Sequence, residues 1–151
     1  DAFIEAYVPR LQAMLAEHGV EVLAGVVETL EYLAAEEAVL LGVATGNVRA
    51  GAQAKLAAAQ LERWFHVGGY GCDSVKRAEL VAKAIERGRE SREVREVIVV
   101  GDTIYDIAAA RACGAKVLAV ATGADPPEAL SHADAVFRSM RELPAWHDRN
   151  R

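Results

Sequence analysis

Apolar positions in this chain form two kinds of run. Ile4, Tyr7, Val8, Leu11, Met14 and Leu15 recur at helical spacing over residues 1–18, with Gly19 closing the helix and Pro9 placed to kink or delay it. After a linker from Val20 to Gly25, a second helix turns Val27, Leu30 and Leu33 inward and ends in the acidic turn Ala34-Ala35-Glu36-Glu37. Residues 38–44 are a continuous apolar run instead, the pattern of a buried strand, ending in Thr45-Gly46-Asn47 before a helix from Val48 to Gln60. Trp64 and Phe65 form a buried pair, and residues 65–71 read as a short strand entering a glycine-rich bend. The next helix opens at Lys76 and Arg77, faces Leu80, Val81, Ala84 and Ile85 inward, and ends at Gly88; a charged loop runs from Gly88 to Arg95.

Val97 to Val100 is apolar and β-rich without a charge, as in a parallel strand covered on both faces. Gly101-Asp102-Thr103-Ile104-Tyr105-Asp106 then leads into the alanine-rich helix that ends near Gly114. Residues 115–121 form a further strand ending in Thr122-Gly123, and Asp125-Pro126-Pro127 predicts a short helix through Leu130. Residues 133–137 read as an edge strand, and the tail from Ser139 packs Leu143 and Trp146. Strands alternating with helices of about a dozen residues predict βαβ units and a parallel sheet. Right-handed crossovers bring the strand tips to one edge.

The chemistry sits at those tips. Asp102 lies just past its strand, and Asp106 falls in the first turn of the following helix, so both carboxylates can face the crevice where open α/β sheets bind ligands. Two carboxylates there, with water filling other positions, suit Mg²⁺. The same spacing also fits a capping box, Thr103 at the N-cap and Asp106 three residues on. Asp102 is harder to assign to structure alone, because a carboxylate on so apolar a strand costs desolvation unless a cation meets it. Thr45 offers a hydroxyl, and Gly46 and Asn47 offer amides at a helix start, which is either an anion site or a plain helix cap. Lys76 and Arg77 oppose the dipole of the helix they open, which points to an anion for at least one of them, a solvated basic pair being the alternative. Gly68, Gly69 and Gly71 match no nucleotide fingerprint and are assigned to backbone geometry.

Composition narrows the field. A length of 151 residues suits one domain, and 52% hydrophobic with 26% charged residues is ordinary for a soluble globular protein. A net charge of −5 argues against nucleic acid, and no apolar run approaches a membrane span of about 20 residues. No secretory leader is visible, so a cytoplasmic location is expected, with Cys72 and Cys113 as free thiols. His18, His66, His132 and His147 are scattered and read as surface or capping residues.

With these residues in place, the sequence resembles the haloacid dehalogenase superfamily, especially its phosphoglycolate-phosphatase-like branch, over residues 20–145. Residues 38–45 match the family's second motif, a strand ending in Thr; Val97 to Asp106 match its fourth, a strand followed by Gly-Asp-x-x-x-Asp. Lys76, or less readily Arg77, takes the place of the third-motif cation. The resemblance implies a Rossmann-like three-layer α/β core over residues 21–151 and the last helix of a helical cap in residues 1–20. It further implies that Thr45, with Gly46 and Asn47, holds a phosphoryl group. Lys76 neutralises phosphate charge, and Asp102 ligates Mg²⁺ with Asp106 in support. The implied reaction is two in-line displacements on a small phosphorylated metabolite, through an aspartyl-phosphate.

The family's first motif, a strand ending in Asp-x-Asp that carries nucleophile and general acid, has no counterpart in this sequence. That strand lies between the strands ending at Thr45 and Asp102 in the family, so two unpaired edges are expected here. The start, without Met and already within a helix, reads as that of a fragment, with 60 or so further residues upstream, a typical-domain figure. The leading expectation is a Mg²⁺-dependent phosphatase whose nucleophile lies upstream, acting as monomer or homodimer. The alternatives are a metal-independent 2-haloacid dehalogenase of the same fold, against which the acid pair counts, and a non-catalytic Rossmann-like module binding an anion or a partner.

Overall fold

The structure, a computed structural model, describes residues 2–151; Asp1, counted in the predicted first helix, lies outside them. In chain order the elements are α1 (Ala2–His18), α2 (Val26–Ala34), β1 (Gly42–Thr45), α3 (Arg49–Ala58), β2 (Val67–Tyr70), α4 (Arg77–Ser91), β3 (Ile98–Gly101), α5 (Ile104–Ala112), β4 (Lys116–Val120), β5 (Ala135–Phe137) and α6 (Leu143–Asn150). This is the α/β fold with parallel strands that the alternation of runs predicts.

The strands form two parallel sheets, β1-β2 and β3-β4-β5. Thr45 stands opposite Tyr70 in the first, and Gly101 opposite Ala119 in the second. Among the described residues β1 pairs only with β2, and β3 only with β4. Side chains of the second sheet alternate between two layers, as the strand period requires. Val97, Val99, Val117, Ala119 and Val136 pack with Ile107 and Ala110 of α5 and with Leu130. Ile98, Leu118, Val120 and Phe137 pack the opposite way, with Leu33 of α2 and with Leu143 and Trp146 of the C-terminal segment. Thr29, fully buried on α2, donates its hydroxyl proton to the Met140 carbonyl at 2.8 Å and so fastens α2 to that segment.

Helix α4 joins the two sheets, packing on β1, β2 and α5. Its contact with β2 depends on Gly69, where a Cβ would run into the Leu80 carbonyl. Helix α1 lies on α3: Leu11 is buried, and Gly51 leaves room for the Tyr7 ring, which a Cβ would approach to 2.9 Å.

Several elements depart from the sequence expectation. α4 does not end at Gly88 but runs on to Ser91, and its last bond is from Arg92 N–H to the Gly88 carbonyl at 3.1 Å; the charged loop is correspondingly shorter. α3 stops at Ala58: Gln60 takes a left-handed φ of 57° and Leu61 N–H closes back on the Leu56 carbonyl at 2.8 Å, a Schellman ending. No helix follows Asp125-Pro126-Pro127, where Ala129 and Leu130 make isolated turns. A segment of so few residues has too few hydrogen bonds to offset helix nucleation. Val100, expected to be covered on both faces, is 43% exposed, since β3 has a neighbour on one side only. Of the first helix's stripe, Met14 is exposed.

Candidate active site

Parallel pairing sends the carboxyl ends of β1 and β2 to one edge and those of β3 and β4 to another. α4 begins where those edges approach: its first residue, Arg77, reaches from the β1-β2 side to Asp106 on the β3 side.

At the tip of β3 the two carboxylates are arranged differently. Asp106 Oδ2 accepts from the backbone N–H of Asp102 (3.0 Å), the N–H of Thr103 (3.0 Å) and the Thr103 hydroxyl (2.9 Å). Thr103 Oγ1 in turn accepts from Asp106 N–H at 3.3 Å, which completes the capping box. Asp106 Oδ1 takes the Arg77 guanidinium at 2.6 Å, and only 12% of the Asp106 side chain remains exposed. The next amide, Ile104 N–H, donates to Asp125 Oδ2 at 2.9 Å. Asp102 is half-buried, and among the described residues its carboxylate has neither a hydrogen-bond partner nor an ion pair. Asp106 is thus the helix cap that its spacing to Thr103 allows, with both carboxylate oxygens taken by donors of this chain.

Lys76 and Arg77, adjacent in sequence, go separate ways. Lys76 is the N-cap residue of α4, and its ammonium pairs with Glu79 at 3.2 Å with 74% of the side chain exposed. Glu79 also accepts from the Ser74 hydroxyl at 2.6 Å, and that bond followed by Lys76 pulls its carboxyl below the usual range. The loop ahead of α4 is fixed by Asp73, whose carboxylate takes both terminal nitrogens of Arg87 at 2.7 Å and the Tyr70 N–H at 2.9 Å. The Arg87 bonds first, then the Tyr70 amide, hold the Asp73 carboxyl at about 2.

At the tip of β1, Thr45 Oγ1 accepts from Asn47 N–H (3.2 Å) and Asn47 Nδ2 (3.1 Å). With two donors on the oxygen, the hydroxyl proton is the group left to offer outward. α3 has no side-chain cap and no acid in its first turn. Arg49, its first residue, stacks over the Tyr70 ring at 5.0 Å, and Lys55 approaches Asn47 Oδ1 at 3.4 Å. Gly71 lies so near the Gly46 carbonyl that a Cβ would collide with it, and Gly71 N–H donates to the Asn47 carbonyl at 2.8 Å. That loop is therefore glycine-rich for close approach.

Mg²⁺ asks for oxygen ligands in octahedral array and is commonly held by one or two carboxylates, with water and phosphate completing the shell. Asp102 fits that role; Asp106 has its oxygens engaged. Among the described residues no group of three or more His, Cys, Asp or Glu could hold a metal ion. The donor set fits a Mg²⁺ held by one carboxylate of this chain and completed by other oxygens. An open groove of about 470 Å³ between α4 and the end of α5, lined by Ile85, Arg89 and Cys113, contains none of these residues.

Sequence reasoning missed the reach of Arg77 to Asp106 and the closure of Ile104 N–H by Asp125. The second carried one signal, an acid two residues after a strand-ending Thr-Gly pair. The first carried none, since its partners are 29 residues apart.

The sequence profile described as haloacid dehalogenase-like hydrolase matches residues 1–120. No curated protein matches the sequence significantly. Among solved structures, CbbY from Rhodobacter sphaeroides in complex with phosphate superposes with a TM-score of 0.76 at 19% identity, over 94% of this chain and 64% of that one. A haloacid dehalogenase-like family hydrolase from Streptococcus pneumoniae gives 0.74 at 20% identity, over 84% and 60%. A hydrolase from Pseudomonas syringae gives 0.69 at 26% identity, over 93% and 66%. The chain therefore spans 60% to 66% of the length of these proteins. Among the described residues no helix is long and apolar enough to cross a membrane.

Proposed function

As this chain belongs to the haloacid dehalogenase-like hydrolases, we propose that it is the core of a Mg²⁺-dependent phosphatase acting on a small phosphorylated metabolite. The observation that carries this reading is the Asp102 carboxylate, half-buried at a strand tip and without a partner among the described residues, while the neighbouring Asp106 is engaged through both oxygens. A half-buried carboxylate at such a place gains when a cation meets it. The phosphate complex of CbbY lends the anion side of the argument a parallel in a protein of like fold.

In this reading Thr45 donates its hydroxyl proton to a phosphoryl oxygen and the uncapped start of α3 adds its positive end. Lys76 turns from Glu79 to neutralise phosphate charge. Asp102 holds the metal, and Asp106 holds the loop that presents Asp102. Mg²⁺, when bound, neutralises phosphoryl charge and orients the group for in-line attack. The reaction would also need an attacking carboxylate and a general acid from an Asp-x-Asp strand, a pair that these 151 residues do not contain. Such a strand would fit the sides of β1 and β3 that have no neighbour among the described residues.

The test is hydrolysis of p-nitrophenyl phosphate by the protein from the complete reading frame, with and without Mg²⁺, beside Asp102→Ala. Mg²⁺-dependent turnover abolished by the substitution is the expected result. A folded protein without turnover, or turnover indifferent to Asp102, overturns the reading.

A further inference from the structure

We propose that Arg77 is a positioning residue, which acts through Asp106 to fix the loop carrying Asp102 relative to the start of α4. Its catalytic consequence rests on the phosphatase reading above; its geometry does not. Asp106 Oδ2 collects the amides of Asp102 and Thr103 and the Thr103 hydroxyl, so the orientation of this one carboxylate sets the backbone from which Asp102 projects. Rotation of that carboxylate would break all three bonds together. The sole side chain of another element that holds it against rotation, among the described residues, is Arg77, through Nη1 at 2.6 Å on Oδ1.

Arg77 is also the first residue of α4 and the neighbour of Lys76. The pair therefore sets the distance between the loop of one proposed catalytic group and the backbone of another, across the line where β1 and β3 have no strand in common. A second tie, from the Cys113 thiol to the Ala78 carbonyl at 3.4 Å, joins the same two helices but lies at the far end of α5 and leaves the Asp102 loop unrestrained. Half the Arg77 side chain is exposed, so the bond contributes little to global stability and its effect is local. The guanidinium uses one nitrogen and makes no fork with the carboxylate, so an ammonium on a lysine stem can take its place.

The experiment compares Arg77→Gln and Arg77→Lys with the unsubstituted protein from the complete reading frame. It reads amide hydrogen exchange at Asp102 and Thr103 and the kinetics of p-nitrophenyl phosphate hydrolysis. The expected result for Arg77→Gln is faster exchange at both amides, with kcat lower by up to about 10²-fold and KM nearly unchanged. Arg77→Lys restores slow exchange and most of kcat. Unchanged exchange in Arg77→Gln overturns the proposal, with or without turnover. A rise in KM at constant kcat overturns it too, by making Arg77 a substrate-binding cation. If the unsubstituted protein lacks turnover, the phosphatase reading fails, and the exchange rates alone still decide whether Arg77 holds the loop.

Discussion

The Asp102 carboxylate rests against Gly123: a Cβ on Gly123 would stand 2.8 Å from Asp102 Cγ and would overlap Oδ2. The turn after β4 is thus the wall on which the tip of β3 leans. Gly123→Ala must push the carboxylate away or shift the turn. Mg²⁺-dependent hydrolysis of p-nitrophenyl phosphate is expected to fall by about 10²-fold, the scale of a misplacement near 1 Å. The melting temperature should barely move, since Gly123 is exposed. Parallel kinetics and thermal melts check this; unchanged turnover would mean that the contact has no bearing on the site.

The pairing of Asp73 with Arg87 gives a pH dependence with a definite sign. The Asp73 carboxyl is held at about 2 by its bonds to Arg87 and the Tyr70 amide, against about 3.9 in an unfolded chain. A carboxylate with a lowered folded value contributes stability that is complete above about pH 4 and is lost as the pH falls through about 2. Asp134, drawn down first by Arg111 and then by the Val117 amide, acts in the same direction. Asp73→Asn should lower the melting temperature at neutral pH, and the gap from the unsubstituted protein should close toward pH 2. A gap constant across that range would assign the loss to packing.

Much of this arrangement is legible in the order of residues alone. The strand tips at Thr45 and Asp102 follow from apolar runs ending in a polar residue, and the cap at Thr103 follows from its spacing to Asp106. What stays hidden is what tertiary contact decides. Gly88 reads as a helix end because glycine is a weak helix former, yet it is buried in the last turn of α4, which runs on to Ser91. Arg77 and Lys76 are indistinguishable as two cations at a helix start until the fold brings Asp106 within reach of one of them. Asp125 before two prolines looks like a helix start, but its carboxylate closes the first amide of α5 instead.

One fully buried hydroxyl, that of Thr29, ties α2 to the C-terminal segment beside the Tyr32–Asp148 hydrogen bond and the packing of Leu33 on Leu143. Thr29→Val keeps the shape of the side chain and leaves the Met140 carbonyl without its donor. The expected loss is about 1–3 kcal/mol of unfolding free energy, the cost of an unsatisfied buried polar group. Thr29→Ser, which keeps the hydroxyl, should recover part of it. Urea denaturation of the three proteins measures the difference; no loss in Thr29→Val, or a larger loss in Thr29→Ser than in Thr29→Val, would mean that the hydroxyl is not what fastens α2.

The free sides of β1 and β3 carry the last expectation. An unpaired strand offers its amides and carbonyls as a template for another chain. Here β1 and β3 each lack one neighbour among the described residues, and Val100 adds a 43% exposed apolar side chain on β3. β4, paired on both sides, has Val117 and Ala119 at 0% exposure. The 151-residue chain by itself should therefore self-associate with rising concentration, and its β1 and β3 amides should exchange well before those of β4. Val100→Lys places a charge on that edge, which opposes edge-to-edge pairing at little cost because the position already meets solvent. Sedimentation velocity of the two chains over a concentration series checks the effect. Association that persists unchanged in Val100→Lys would locate the sticky surface elsewhere, with the exposed Phe3 and Met14 of α1 the next to substitute.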